Sequence, residues 1–462
     1  MQYFTNLFLL ITVLWWILLL VSIFISPPGM HSRGSGFTDF SFTTLTVGNL
    51  LVGILFFLTP SKAAQVSCLT ISVLLMMDAI IVVATPQVRL EEGWPGIASV
   101  LWAFLIATWL VVQDRVVASG KASEEERLTG RPESRRTLKE WLGVLFSEIF
   151  LIAYIVIIVL LSATLILRVR DSSLAAPGEK YGVDGNKYQV HLFCKGEPID
   201  AAGKKVMTVF VEAGEGPSEE SFAPFIDNAL KNGTISRYCL WDRPGFAWSE
   251  NAPSPLSAGT TADALTEALA RAGEEGPYIL VSAGVGSIYS RVFAARRPAE
   301  VKGLLMIDPL HEELLYRLAK PAAGFTLWFR GVISPLGIER LPGALFKGRT
   351  REDRLYGRNA YQSGRFIKAK LQENLVADSL TKSDVNTARA IQSRDTPLVV
   401  VSSGVEVKRS DEWASKQRDL THVTDNLMDW TVVKKAPHEV WMTLEGRKVI
   451  EEQLGKMYRS VS

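Results

Sequence analysis

The chain has 462 residues, of which 48% are hydrophobic, and 50 Lys plus Arg stand against 48 Asp plus Glu. A formal net charge of only +2 gives no basis for a nucleic-acid surface, and an apolar excess concentrated before about residue 168 excludes a wholly soluble protein. The histidines are scattered, and no CxxC pair, HExxH, P-loop or dinucleotide-binding glycine pattern occurs, so no metal and no cofactor is expected.

Five apolar runs, Tyr3 to Ile25, Phe42 to Leu58, Ala64 to Ala84, Gly96 to Val112 and Trp141 to Leu167, are each long enough or nearly so for a hydrocarbon core that needs about 20 residues. They predict an α-helical transmembrane region of about five spans over residues 1–168, with the lipid bilayer as its first partner. The first run lacks a basic start and a small-residue cleavage site, so it reads as an uncleaved anchor; internal targeting leaves a mitochondrial membrane open.

Basic residues set the expected orientation. Arg115, Lys121, Arg127, Arg131, Arg135, Arg136 and Lys139 crowd the connection between spans four and five, with Lys62 on the same side. The other side carries Arg33, Arg89, Arg168 and Arg170. The bias puts the N-terminus inside and everything after the fifth span in a lumen or outside, although Glu124 to Glu126 dilute the basic loop. Asp78, within LLMMDAIIVV, and Glu148 are intramembrane carboxyls, and Asn49 interrupts the second span. Each carboxyl reads either as an ion, proton or lipid-headgroup contact or as a hydrogen-bonded tie between helices. Cys68, inside a span, reads as packing.

Residues 169–185 turn polar and read as a linker. Alternating strands and helices follow, including a helix from about Thr260 to Ala272 capped by Thr260 or Thr261, so a parallel sheet flanked by helices is expected. Asn232-Gly233-Thr234 is a candidate glycosylation site. In GPYILVSAGVGSIYSRVFAARR, from Gly276, a buried strand at Tyr278 to Val281 meets a tight turn of small residues, Ser282, Gly284 and Gly286, before a helix starting near Ser287.

That strand-turn-helix, together with HLFCKGEP at His191, VMTVFVEAGEG at Val206, CLWDRPGFAWSE at Cys239, VKGLLMIDP ending at Asp308 and Pro309, PLVVVSSG at Pro397 and APHEVW at Ala436, resembles the α/β-hydrolase superfamily over about residues 185–460. The resemblance implies an α/β-hydrolase-like, mostly parallel sheet over 186–462 with a helical lid at about 311–389. Gly284 falls where the family has its nucleophilic serine, and Ala283 where many members have a histidine. Glycine keeps the strained turn but brings no oxygen. His438 matches the base, Glu406 and Asp411 are rival acids, and the oxyanion hole would use backbone N–H groups of Val285 and of the loop Glu212 to Gly216 around Ala213 and Gly214. Ser282 and Ser287 are the candidates for a relocated nucleophile. Asp242 and Arg243 read as a local ion pair anchoring a turn. In the implied fold Cys194 and Cys239 end neighbouring strands, so they either form a disulfide or are packed thiols. Lid residues Trp328, Phe329, Ile333, Leu336 and Ile338 either pack on the lid's own core, cover a pocket, or face lipid with Arg330, Arg340 and Lys347 at headgroups.

The expected function is therefore a membrane protein whose catalytically degenerate hydrolase-like domain binds a lipophilic ligand or a protein partner. The alternatives are an active hydrolase of a lipophilic ester or amide, and a transport or complex-assembly protein working through its spans around Asp78.

Overall fold

The computed structural model describes residues 1–56, 60–130 and 137–461, which fall into two units. Leu58, Arg131, Arg135 and Arg136 lie outside the described residues. One unit comprises Met1–Leu174 and Phe329–Arg349, the other Ala175–Trp328 and Thr350–Ser462.

The first unit is helical: α1 (Gln2–Phe24), α2 (Phe37–Leu55), α3 (Lys62–Ala84), α4 (Pro86–Thr129) and α5 (Leu138–Ser172). All five are long and apolar enough to cross a membrane. The expected spans are the apolar parts of longer helices. The second begins already at Phe37, and the fourth, expected over Gly96 to Val112, sits in a helix of 44 residues. That helix breaks at Gly93, whose φ of 64° falls where side-chain-bearing residues are disfavoured, and Pro95 restarts it. Leu75, Val82, Val100, Ala103, Leu151, Ile158 and Leu165 fill the interior, while Leu14, Ile80 and Ile152 point outward. With apolar groups on both sides, hydrogen bonds help to choose helix neighbours. Trp102 donates to Thr12 Oγ1 and Trp15 to Ser99 Oγ, both at 2.9 Å.

The intramembrane carboxyls sit among helices. Asp78 is fully buried facing Ser162 of α5, and Glu148 accepts a hydrogen bond from Ser61 Oγ. Asn49 does not interrupt α2 but is buried on it. At the other end of α5, Arg168 pairs with Glu91 at 2.8 Å and Glu92 at 2.5 Å.

Phe329–Arg349, expected as part of a lid, instead completes this helical unit. Leu336 joins the bundle core, and Gly331 and Gly337 lie so close to Phe37 and Thr164 that a Cβ would meet them at 2.0 and 2.2 Å. Arg340 pairs with Asp171 at 3.7 Å.

The second unit is built on an eight-stranded sheet: β1 (Glu179–Val183), β2 (Tyr188–Lys195), β3 (Thr208–Glu212), β4 (Tyr238–Trp241), β5 (Tyr278–Ala283), β6 (Val301–Ile307), β7 (Leu398–Ser403) and β8 (Leu427–Val433). Its order is β1-β2-β4-β3-β5-β6-β7-β8; β2 is antiparallel to both neighbours, and the strands from β4 onward in that order are parallel. Residues 169–185 are thus no linker, since they hold the end of α5 and all of β1. The parallel strands β3, β5, β6 and β7 are buried almost throughout, as their Val, Ile and Leu runs require, whereas the edge strand β8 is largely exposed or half-buried. The helix expected from Thr260 spans Ala258–Ala272, and its cap is Ser257, joined to Thr260 in a reciprocal capping box. Several residues expected in the lid, among them Leu314, Leu315, Val385 and Ala388, belong to the sheet's own core.

Candidate functional site

β5 ends at Ala283, and Gly284, with φ of 47°, turns the chain into the helix Gly286–Arg296. The turn is held by Gly284 N–H donating to Ile307 O and Leu310 N–H donating to Gly284 O, each at 3.0 Å. Gly286 is required by close approach, because a Cβ there would lie 2.3 Å from Ala213 O.

His438, in the loop after β8, directs its ring at this turn. Its Nδ1 meets Asp308 Oδ2 at 2.6 Å, and a Cβ on Gly284 would stand 2.9 Å from Nε2. Asp308, at the end of β6, is fully buried. Its Oδ1 accepts from Ser403 N–H at 3.0 Å and from Trp413 Nε1–H at 3.1 Å. The carboxylate beside the histidine is therefore Asp308, in place of the expected Glu406 or Asp411. Glu406 lies in the first turn of Gly404–Arg409 and reaches His438 only through its charge, whereas Asp411 opens the next helix, Asp411–Leu420. Both follow β7, whereas Asp308, which holds the ring's Nδ1, follows β6.

Neither alternative serine faces His438. Ser282 Oγ accepts from Ser290 Oγ at 2.9 Å, Ser287 Oγ donates to Gly284 O at 2.7 Å, and both residues are buried. Val285 N–H stands just before the helix Gly286–Arg296, and among the described residues no backbone carbonyl accepts it.

The loop after β3 is fixed from behind by Arg243. Its guanidinium donates to Ala213 O and Gly214 O at 2.6 Å each and to Glu212 Oε1 at 2.7 Å, and stacks between Phe246 and Tyr289. Because a trans peptide sends its N–H opposite its C=O, the N–H groups of Gly214 and Glu215 turn away from Arg243. Asp242 is not the ion partner of Arg243 but pairs with His191 Nδ1 at 2.8 Å. Glu373, 3.4 Å from Arg243, and Lys370 complete a buried charge cluster, with Lys370 also pairing with Glu373 and, at 3.1 Å, with Glu215. Glu215 Oε1 would lie 3.5 Å from a Cβ on Gly284, so a carboxylate borders the space a serine would need. Glu215, Lys370, Glu373 and the role of Asp308 as partner of His438 are what sequence reasoning missed; EAGEG signals Glu215, but Lys370 comes 155 residues later.

Charge follows burial and partners. Burial pushes the Glu212 carboxyl up to about 7 against the opposing pull of Arg243. Burial would lower the His438 pKa, but the hydrogen bond and charge of Asp308, with the charges of Glu215 and Glu406, raise it above its ordinary 6.5. A histidine pKa raised by folding adds stability that is fully present below the unfolded value and disappears as pH rises through the folded one. The stability of the second unit relative to a His438→Gln variant should therefore decline from about pH 6.5 upward. Parallel urea titrations across pH check this, and an unchanged difference between the two proteins would contradict the ion pair.

Cys194 and Cys239 are register partners on β2 and β4 and are joined in a disulfide. The Asn232 side chain donates to Glu451 at 2.8 Å, and Thr234 Oγ1 donates to the same oxygen at 3.0 Å, so the sequon rests on the C-terminal helix Leu444–Val461.

Five candidate spanning helices followed by a mostly parallel sheet of this order, consistent with an α/β-hydrolase-like fold, define a membrane protein carrying a hydrolase-like unit. A family model described as a region of unknown function, DUF2417, matches residues 1–194. An uncharacterized protein of Schizosaccharomyces pombe is 35% identical over 481 residues, covering 97% of this chain and 89% of that protein. The chain belongs to the family of that protein. An uncharacterized vacuolar membrane protein of Saccharomyces cerevisiae is 27% identical over 380 residues, covering 70% of this chain and 58% of its own length. Among solved structures, a carboxylesterase of Nitrososphaera gargenis has a TM-score of 0.44 at 13% identity, covering 61% of this chain and all of its own. Mouse alpha/beta hydrolase domain-containing protein 10 has a TM-score of 0.39 at 14% identity, covering 62% of this chain and all of its own. Likeness of this degree adds nothing to the strand order itself.

Proposed function

We propose that the chain is a membrane-anchored binding protein whose hydrolase-like unit holds a lipophilic ligand or a partner without serine catalysis. The observation that carries this reading is the pairing of Gly284 with His438. The histidine is held by Asp308 as a base would be, yet it faces a residue with no oxygen, and its Nε2 sits within 2.9 Å of where a Cβ would begin. A serine there would need His438 to give way by a few tenths of an ångström. Ser282 Oγ accepts from Ser290 of the following helix and Ser287 Oγ donates to Gly284 O, so each hydroxyl is engaged locally and not with His438.

A fluorophosphonate probe on the detergent-solubilised full-length protein tests this. The wild type should stay unlabelled, and Gly284→Ser should become labelled only while His438 is present. Wild-type labelling mapped to Ser282 or Ser287 would replace this reading with that of an active ester or amide hydrolase.

The side of the membrane is part of the same proposal. The Cys194–Cys239 disulfide suits an oxidising lumen or exterior, as does the basic loop between α4 and α5 if it lies inside. The vacuolar membrane named for the budding-yeast relative supports an internal organelle as the location.

A further inference from the structure

We infer that Phe329–Arg349 is an interfacial membrane element, with Leu345 and Phe346 set into the lipid of the same bilayer that the five helices cross. The inference rests on where this segment is held and on what it leaves uncovered. Within the helical unit it runs beside the last turns of α5, with Gly337 against Thr164 and Arg340 paired to Asp171. Arg168, with its Glu91 and Glu92 partners, lies between those two levels and marks where charge reappears after the apolar run. The segment is therefore fixed at the depth where hydrocarbon gives way to headgroups, and Leu336 faces inward as part of the bundle core.

Its other side is uncovered: exposed Glu339, paired with Arg330 at 3.1 Å, keeps a charged pair beside Ile338, and the end of the segment is apolar. Ile338 is 53% exposed, Leu345 72% and Phe346 85%, and Phe346 closes the helix Arg340–Phe346 with the exposed Lys347 directly after it. Apolar side chains beside a lysine whose stem can reach back to headgroups are the pattern of an element lying in the interface plane. The occupant is identified by continuity: the same unit presents outward-facing Leu14, Ile80 and Ile152 on helices long and apolar enough to cross a membrane.

The test places an environment-sensitive fluorophore at Phe346→Cys, and separately at Leu345→Cys, in a Cys68→Ser background with the disulfide left intact. A probe at Leu444→Cys, which replaces an exposed leucine of the other unit, is the aqueous control. In phosphatidylcholine and phosphatidylserine vesicles, the Phe346→Cys and Leu345→Cys probes should emit to the blue of the control. Lipids bearing a nitroxide high on the acyl chain should quench them, and their quenching by aqueous iodide should be several-fold weaker than the control's. Iodide quenching equal to the control would overturn the inference in favour of a free surface. Shielding from iodide and lipid nitroxide alike would overturn it in favour of a protein contact.

Discussion

Arg243→Ala should be among the most damaging single substitutions in the second unit, costing about 3–5 kcal/mol, the usual penalty for removing one partner of a buried ion pair. Glu212 and Glu373 would keep their burial and lose the cation between them, while Ala213 O and Gly214 O would lose their shared donor. The aromatic faces of Phe246 and Tyr289 would also lose the guanidinium between them. Lysine should rescue little, because a point charge on a flexible stem cannot reach a carboxylate and two carbonyls with one planar fork. Thermal melting of the full-length protein in detergent, followed by protease resistance of the second unit, should move down by about 10 °C. A shift within about 2 °C would mean that water enters and solvates the carboxylates, and that Arg243 does not organise the loop after β3.

Breaking the Cys194–Cys239 bond should have the next largest effect. The cysteines are 45 residues apart, and closing a loop of that length restricts the unfolded chain by about 4 kcal/mol in the chain-entropy account. Reductant should lower the melting point of the wild type and leave Cys194→Ser/Cys239→Ser unchanged at the reduced value. The same pair reports orientation. In protein taken from its own membrane without reductant, a maleimide reagent should modify these positions only after reduction, because a lumenal or exterior domain keeps the bond. Modification before reduction would place the domain on the reducing side and reverse the proposed topology.

How much of this was legible in the sequence depended on how local each feature is. The five long apolar helices were readable because twenty or so apolar residues in a row have few other uses, and their true ends were not, because α4 continues in polar sequence. The short strand β1 escaped notice: EKYGV has no apolar run and is defined by pairing with β2. Gly284 and His438 could be singled out because the turn and the loop have local signatures. The acid was misassigned because which of several carboxylates reaches a histidine depends on the strand it follows, and Asp308 comes from β6, before the lid sequence rather than after it. The charge cluster behind the loop was invisible for the same reason, since Glu212 and Glu215 meet Glu373 and Lys370 only in the folded unit. The lid was misjudged because amphipathic sequence says that one face is covered and does not say by which unit.

The return of Phe329–Arg349 to the helical unit sets an order of events during synthesis. Arg349 leaves the ribosome 175 residues after Leu174, where the first stretch of that unit ends. At translation rates of about 5–20 residues per second the bundle waits roughly 9–35 s for its final piece. During that interval Phe37, Thr164 and Asp171 lack the neighbours they have in the finished protein. The helices of the first stretch are therefore made well before the segment that completes their unit, and a chain cut at residue 174 would lack it.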